Sequence, residues 1–283
     1  MGAFKCRRVK DLRVSNIYYS GCTLEQHWNW YVEKFSEYTF ITIKDGTRVS
    51  EKNMDLEYCL SAEEDWDVIS FLQSNRYGYR KDGGVSCRES IQKYLPLLYP
   101  VVHDRFPNAK YCWLQSWAHE IRQSSNPEMK KGVENLEAQL EASAIFRDVA
   151  KEVCQEFGFT QVPCGDAWEL IRHDPMFYEK GEGDYPVRSL HTRIFNASMN
   201  NFPNVYNQDL SHDGDIGGGQ YLNACVWFEV LMKKSVVGNS FRPVYVHEPS
   251  GTIYQFTEKK ILVLQNAAHQ AVLNFYGEDY YQQ

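Results

Sequence analysis

No stretch of this chain approaches the roughly 18 apolar residues that a membrane-spanning helix needs, which excludes a helical channel or transporter. No C-x-x-C pair occurs either. The cysteines stand apart at 6, 22, 59, 87, 112, 154, 164 and 225, which argues against zinc ribbons and thioredoxin-type redox pairs. Basic charge is not in excess: 30 Lys and Arg against 37 Asp and Glu leave a net charge of −7. Phosphate backbones demand a basic face, so nucleic acid is not expected as a partner. Neither a P-loop nor a dinucleotide-binding glycine pattern is present, and His119-Glu120 lacks the second helical histidine of a zinc protease. Neither a metal nor an organic cofactor is implied. The first residues, Met1 to Arg13, carry Lys5, Arg7, Arg8, Lys10 and Arg13 without an apolar core, so they do not read as a signal peptide.

What the chain does contain is ordinary in bulk and specific in places. Its 283 residues, 43% hydrophobic and 24% charged, suffice for a large core and are compatible with a single domain spanning 1–283. Aromatic residues make 14%, with 19 tyrosines. They read first as packing, and second as a surface on which a sugar ring could stack. Cys112 and Cys225 sit in apolar runs and read as small buried thiols, which favours a reducing compartment.

Strand and helix patterns alternate along the chain. Val14 to Tyr19 reads as a strand ending at Gly21, and Leu24 to Phe35 has helical spacing. Thr39 to Ile43 followed by Asp45-Gly46 predicts a hairpin. Met54 to Ala62 predicts a short helix, and Trp66 to Leu72 a buried strand opening into a polar loop from Gln73 to Gly84. Ser86 and Glu89 form a capping-box pattern for a helix to about Asp104, bent or interrupted by Pro96 and Pro100. Ala109 to Gln115 reads as a strand, Met129 to Phe157 as a long helix, Thr160 to Val162 as a strand and Ala167 to Arg172 as a helix. A loop or insertion is expected at about 177–208, then helices over Gly217 to Met232 and Glu258 to Phe275. This order predicts a parallel sheet with helices on both faces and a site at the carboxyl ends of the strands. Gly21, Gln73 to Asn75, Gln115 to Trp117 and Cys164-Gly165 all follow expected strands.

Three groups of residues could carry chemistry there. Asp209 lies three residues before His212 in a polar loop; a serine nucleophile needs an imidazole to take its proton and a carboxylate to hold that imidazole. An N-cap aspartate beside a surface histidine would look the same. Gly21 could offer an unobstructed backbone N–H to an oxyanion, or be a plain turn glycine. Gln73, Ser74 and Asn75 could supply a side-chain amide donor, or be loop polarity.

In this order and spacing the blocks resemble the SGNH/GDSL hydrolase superfamily, in a poorly characterised bacterial branch. Tyr18 to Trp28 is similar to that branch's Gly-Gly-Cys-Ser-Leu-Glu-x-His-Trp block, with Ser20 where the branch has glycine. Trp66 to Gln73 is similar to its Trp-Asp-Val-Ile strand, and Gln115 to Ala118 to its Thr-Trp-Ala strand end. Val162 to Ala167 is similar to its Ile-Pro-x-Gly-x-Ala turn, and Asp209 to Glu229 to its terminal Asp-x-x-His block and helix. The resemblance implies a three-layer α/β/α, flavodoxin-like fold and a serine esterase. In it Asp209 and His212 would be acid and base, Gly21 an oxyanion donor, and Asn75 or Gln73 a second. The substrate implied is a small-molecule or carbohydrate ester.

The superfamily's nucleophile block, a strand ending in Gly-Asn/Asp-Ser, has no counterpart ahead of Val14. The sheet is therefore expected to lack its first strand, either by truncation or in a naturally short relative that only binds ligand. Gly238-Asn239-Ser240-Phe241 has the wording of that block but follows the histidine block, so Ser240 is a weak substitute. Ser20 and Ser211 are weaker still, and His27 on a helix reads as a hydrogen-bonded core histidine.

Overall fold

The computed structural model describes residues 12–19, 21–44, 47–62, 65–73, 87–118, 136–172, 174, 218–247 and 252–282. These fall into two compact units. One is drawn from Arg7–Ser116 and Val149–Gln161, the other from Trp117–Asp148 and Val162–Gln283.

The first unit opens with a three-stranded antiparallel sheet. Its strands are β1 (Arg13–Tyr18), β2 (Tyr38–Lys44) and β3 (Thr47–Met54), in the order β1-β2-β3. Lys44 pairs with Thr47, leaving two residues between them, as the Asp45-Gly46 pattern predicts; those two lie outside the described residues. Helix α1 (Leu24–Glu33) joins β1 to β2, and α2 (Leu56–Ser61) follows β3 behind an Asp55 N-cap. A second sheet has the order β4-β5-β6, from Val68–Phe71, Lys110–Leu114 and Thr160–Val162, with β4 and β5 parallel.

Two expectations are corrected here. The run from Val14 to Tyr19 is not a strand of the parallel sheet; it pairs antiparallel with β2, with Ile17 opposite Phe40. The Trp66 to Leu72 run is not a buried strand. Among the described residues β4 has β5 as its one neighbour, none of Trp66 to Leu72 is buried, and Ser70 and Leu72 are exposed.

Helix α3 (Cys87–Arg105) is not interrupted at Pro96 or Pro100, which excludes one of the two outcomes expected there. Each proline removes a backbone bond and costs a helix interior about 3 kcal/mol. Ile91, Tyr94, Leu95, Leu98 and Val102 lie along one buried stripe, at about 1.5–3 kcal/mol each for the larger apolar side chains. That burial outweighs the two prolines, both of which face solvent.

Helix α4 (Leu136–Phe157) ends at Gly158, whose φ of +69° suits a C′ position. The second unit contains α5 (Cys164–Arg172), α6 (Gly219–Met232) and α7 (Glu258–Tyr276), with α7 packed on both of the others. A hairpin of β7 (Val244–His247) and β8 (Thr252–Gln255) precedes α7, and a 3-10 turn (Glu278–Gln282) follows it. None of the last three elements was expected, although two β-rich runs flanking Pro249-Ser250-Gly251 carry a hairpin signal. The Ser86 cap and the loop expected at 177–208 lie outside the described residues.

Candidate functional site

The site begins where β1 turns into α1. Cys22 N–H donates to the Tyr19 carbonyl at 3.2 Å, and Gly21 inside that turn has a φ of +69°. The left-handed backbone is what requires glycine. Space is not, since a Cβ would meet nothing within 4 Å.

Thr23 then caps the helix. Its Oγ1 accepts Gln26 N–H at 3.2 Å, while Gln26 Oε1 accepts Thr23 N–H at 3.1 Å, a reciprocal capping box. Leu24 N–H donates to Oε1 of Gln73, 3.1 Å away. The donors that a helix start leaves unpaired are therefore largely taken by side chains. Gly21 is exposed, and among the described residues its N–H makes no hydrogen bond.

Gln73, only 2% exposed, ties this turn to the end of β4. Its oxygen must face Leu24, because the flipped amide would set donor against donor. That leaves Nε2 buried without a partner. An orphaned buried donor costs about 1–3 kcal/mol, and such groups mark places where a water or a ligand is met. Ser116 Oγ donates to the Gln73 carbonyl at 3.1 Å, which fixes the backbone from the β5 side. Beyond it, Gln161 Nε2 donates to Gln115 Oε1 at 3.1 Å, and both are fully buried. Three buried glutamines thus stand along the parallel sheet, two of them just past the carboxyl ends of β4 and β5.

The rest of the block after Gly21 is structural. Glu25 Oε1 accepts from the Tyr94 hydroxyl of α3 at 2.6 Å. His27 Nδ1 lies 2.7 Å from the Tyr38 hydroxyl of β2. Burial lowers the His27 imidazole to about 4 and pushes the Tyr38 phenol up, so Tyr38 donates to a neutral ring. His27 is a core histidine, as its helical context predicts. Burial pushes the thiols of Cys22, Cys59 and Cys87 up to about 12, far from the range of a reactive thiolate.

The family model that matches this sequence is that of a domain of unknown function, DUF4886, over residues 5–170. The chain belongs to the DUF4886 family. A solved structure, that of a DUF4886 family protein from Bacteroides uniformis, is similar at a TM-score of 0.65 and 21% identity, covering 93% of this chain and 84% of that one. At that identity the likeness concerns the fold. No curated protein matches. The DUF4886 match spans the Gly21, Gln73, Gln115 and Cys164 blocks and stops short of Asp209.

Asp209, His212 and Asn75, with Ser20 and Ser211, lie outside the described residues. Ser240 is exposed in a turn held by Gln265 and Arg242, and among the described residues no histidine or carboxylate lies within hydrogen-bond reach of its hydroxyl. In the second unit Trp117 stacks on Trp168 at 4.5 Å between centroids, and Arg172 donates to the Ala118 carbonyl at 2.9 Å. These contacts anchor the two blocks that hold Trp117 and Cys164.

One cluster was missed altogether. Glu229 of α6 is fully buried and accepts from Val236 N–H at 2.6 Å, from the Tyr281 hydroxyl, and from His269 Nδ1 at 3.1 Å. Ser235 Oγ also lies 3.3 Å from Nδ1. The residue types are those of a hydrolase triad, but serine and carboxylate meet the same ring nitrogen, so no proton relay passes between them. Glu229 is the single charge in Ala224 to Met232, a signal legible in the sequence. Among the described residues no group of three potential ligands could hold a metal, and no helix is long and apolar enough to cross a membrane.

Proposed function

We propose that this DUF4886 protein is an SGNH-type serine esterase acting on small-molecule or carbohydrate esters, in a single three-layer α/β/α domain. Asp209 and His212 serve as acid and base, the Gly21 N–H is an oxyanion donor, and Asn75 or Gln73 is a second. The carrying observation is the Gly21 turn, whose N–H makes no hydrogen bond among the described residues, followed at once by Leu24, whose N–H is held by a Gln73 amide with an unused Nε2 donor. Donors held rigid before charge develops are what an oxyanion hole requires. The parallel pairing of β4 and β5, with Gln73 and Gln115 just past their ends, also favours it.

A second reading is a ligand-binding protein that keeps the cleft without the nucleophile. It is favoured by the described residues holding no serine or cysteine engaged by a free catalytic base. A fluorophosphonate probe with peptide mapping separates the two. One serine labelled stoichiometrically, with labelling lost in His212→Ala, supports the esterase and names its nucleophile. An unlabelled, folded chain leaves the binding reading.

A further inference from the structure

Gly21 and Gln73 stand at the ends of strands in different sheets. Gly21 follows β1 of the antiparallel sheet and Gln73 follows β4 of the parallel one, and among the described residues no strand pairing joins the two. Backbone ladders fix each sheet internally and leave the placement of one strand end against the other to side chains. The Gln73 amide makes the direct link, because its Oε1 accepts the N–H of Leu24, three residues after Gly21, at 3.1 Å. That link is only as firm as the backbone that carries Gln73. The ladder between β4 and β5 ends with Phe71 opposite Trp113, two residues short of Gln73. Past that point a side chain takes over: the Ser116 hydroxyl, just beyond the end of β5, donates to the Gln73 carbonyl at 3.1 Å. Gln73 is buried at 2% exposure, so water has little access to replace either bond. Its two ends thus tie the Gly21 turn to β5, through Leu24 on one side and Ser116 on the other.

We propose that Ser116 is a positioning residue for ester hydrolysis, acting through Gln73 to hold the Gly21 N–H where the oxyanion forms. This inference rests on the esterase reading. In this role Ser116 touches no reacting atom; its hydroxyl is committed to the Gln73 carbonyl. Donors act on developing charge only from the right place, and a displacement of about 1 Å can cost on the order of 100-fold in rate. Binding of the uncharged ground state is less demanding. Loss of the Ser116 hydroxyl therefore falls on the chemical step and spares affinity.

The rate of fluorophosphonate labelling of the full chain, followed against probe concentration, tests this. Ser116→Ala is expected to lower the maximal rate about tenfold at an unchanged half-saturating concentration, less than the roughly 100- to 1,000-fold carried by an oxyanion donor itself. Ser116→Thr returns the hydroxyl and is expected to recover most of the lost rate. A merely structural role would lower the unfolding temperature without separating rate from affinity. If Ser116→Ala fails to fold, Ser116→Cys, whose thiol donates only weakly, is read in the same way. A labelled wild type whose folded Ser116 variant keeps its maximal rate, or loses affinity instead, overturns the positioning role alone. A folded wild type that takes no label overturns the esterase reading and this role with it.

Discussion

His27 is the side chain through which the fold feels acid. Burial holds its imidazole at about 4, against 6.5 for an unburdened histidine. The unfolded chain therefore binds a proton that the folded chain refuses between those values. Stability is full above about pH 6.5 and declines as pH falls toward 4, by up to about 1.4 kcal/mol per pH unit. Urea midpoints at pH 7 and pH 5 measure it, and His27→Phe is expected to flatten that part of the profile. Gln73 and Glu229 make a paired test of buried polarity. Gln73→Leu exchanges one orphaned donor, Nε2, for another, the Leu24 N–H, so its cost is the lost bond, about 0.5–1.5 kcal/mol. Glu229→Leu strands the buried Val236 N–H and removes the carboxylate shared by the Tyr281 hydroxyl and His269, which keep each other, and is expected to cost more than Gln73→Leu, about 2–3 kcal/mol. Thermal unfolding of both variants ranks them, and a costlier Gln73→Leu would refute this accounting. The Thr23–Gln26 box went unread in the sequence although both partners lie within one helical turn. The Gln73–Leu24 and Glu229–Tyr281 pairs were not legible there, since nothing local distinguishes a glutamine that caps a helix 49 positions away.

At the scale of elements, periodicity served well and pairing did not. The strands at Val14, Thr39, Ala109 and Thr160 and every long helix were legible from apolar spacing and turn residues, because those signals act over a few residues. Which strand lies beside which depends on long-range contacts, so β1 was assigned to the wrong sheet. α3 exposes the limit of a local rule: its prolines forbid the helix locally, and the buried stripe from Ile91 to Val102 overrides them. Pro100→Ala, at an exposed position, restores a backbone donor to the Pro96 carbonyl. It is expected to stabilise the protein by about 1–3 kcal/mol, the gain being less than the full helix-propensity difference because the unfolded chain loosens too. A lower urea midpoint would show that the prolines are tolerated for another reason.

At the scale of the whole molecule, the chain spends its cysteines on packing. Cys22, Cys59, Cys87, Cys112, Cys164 and Cys225 are all buried and free. A thiol reagent is expected to modify these six no faster than the protein unfolds, and fast labelling of Cys22 in the native state would contradict the Gly21 turn described above. The candidate site was legible as text but not as assignments. The family's wording is carried by Tyr18 to Trp28, yet in three dimensions Thr23, Leu24, Glu25, Gln26 and His27 are occupied with holding α1 to β2, α3 and β4. These side chains are what folding of this unit requires. The block is therefore kept by folding alone, so its presence in a sequence marks this fold and does not by itself mark a reaction.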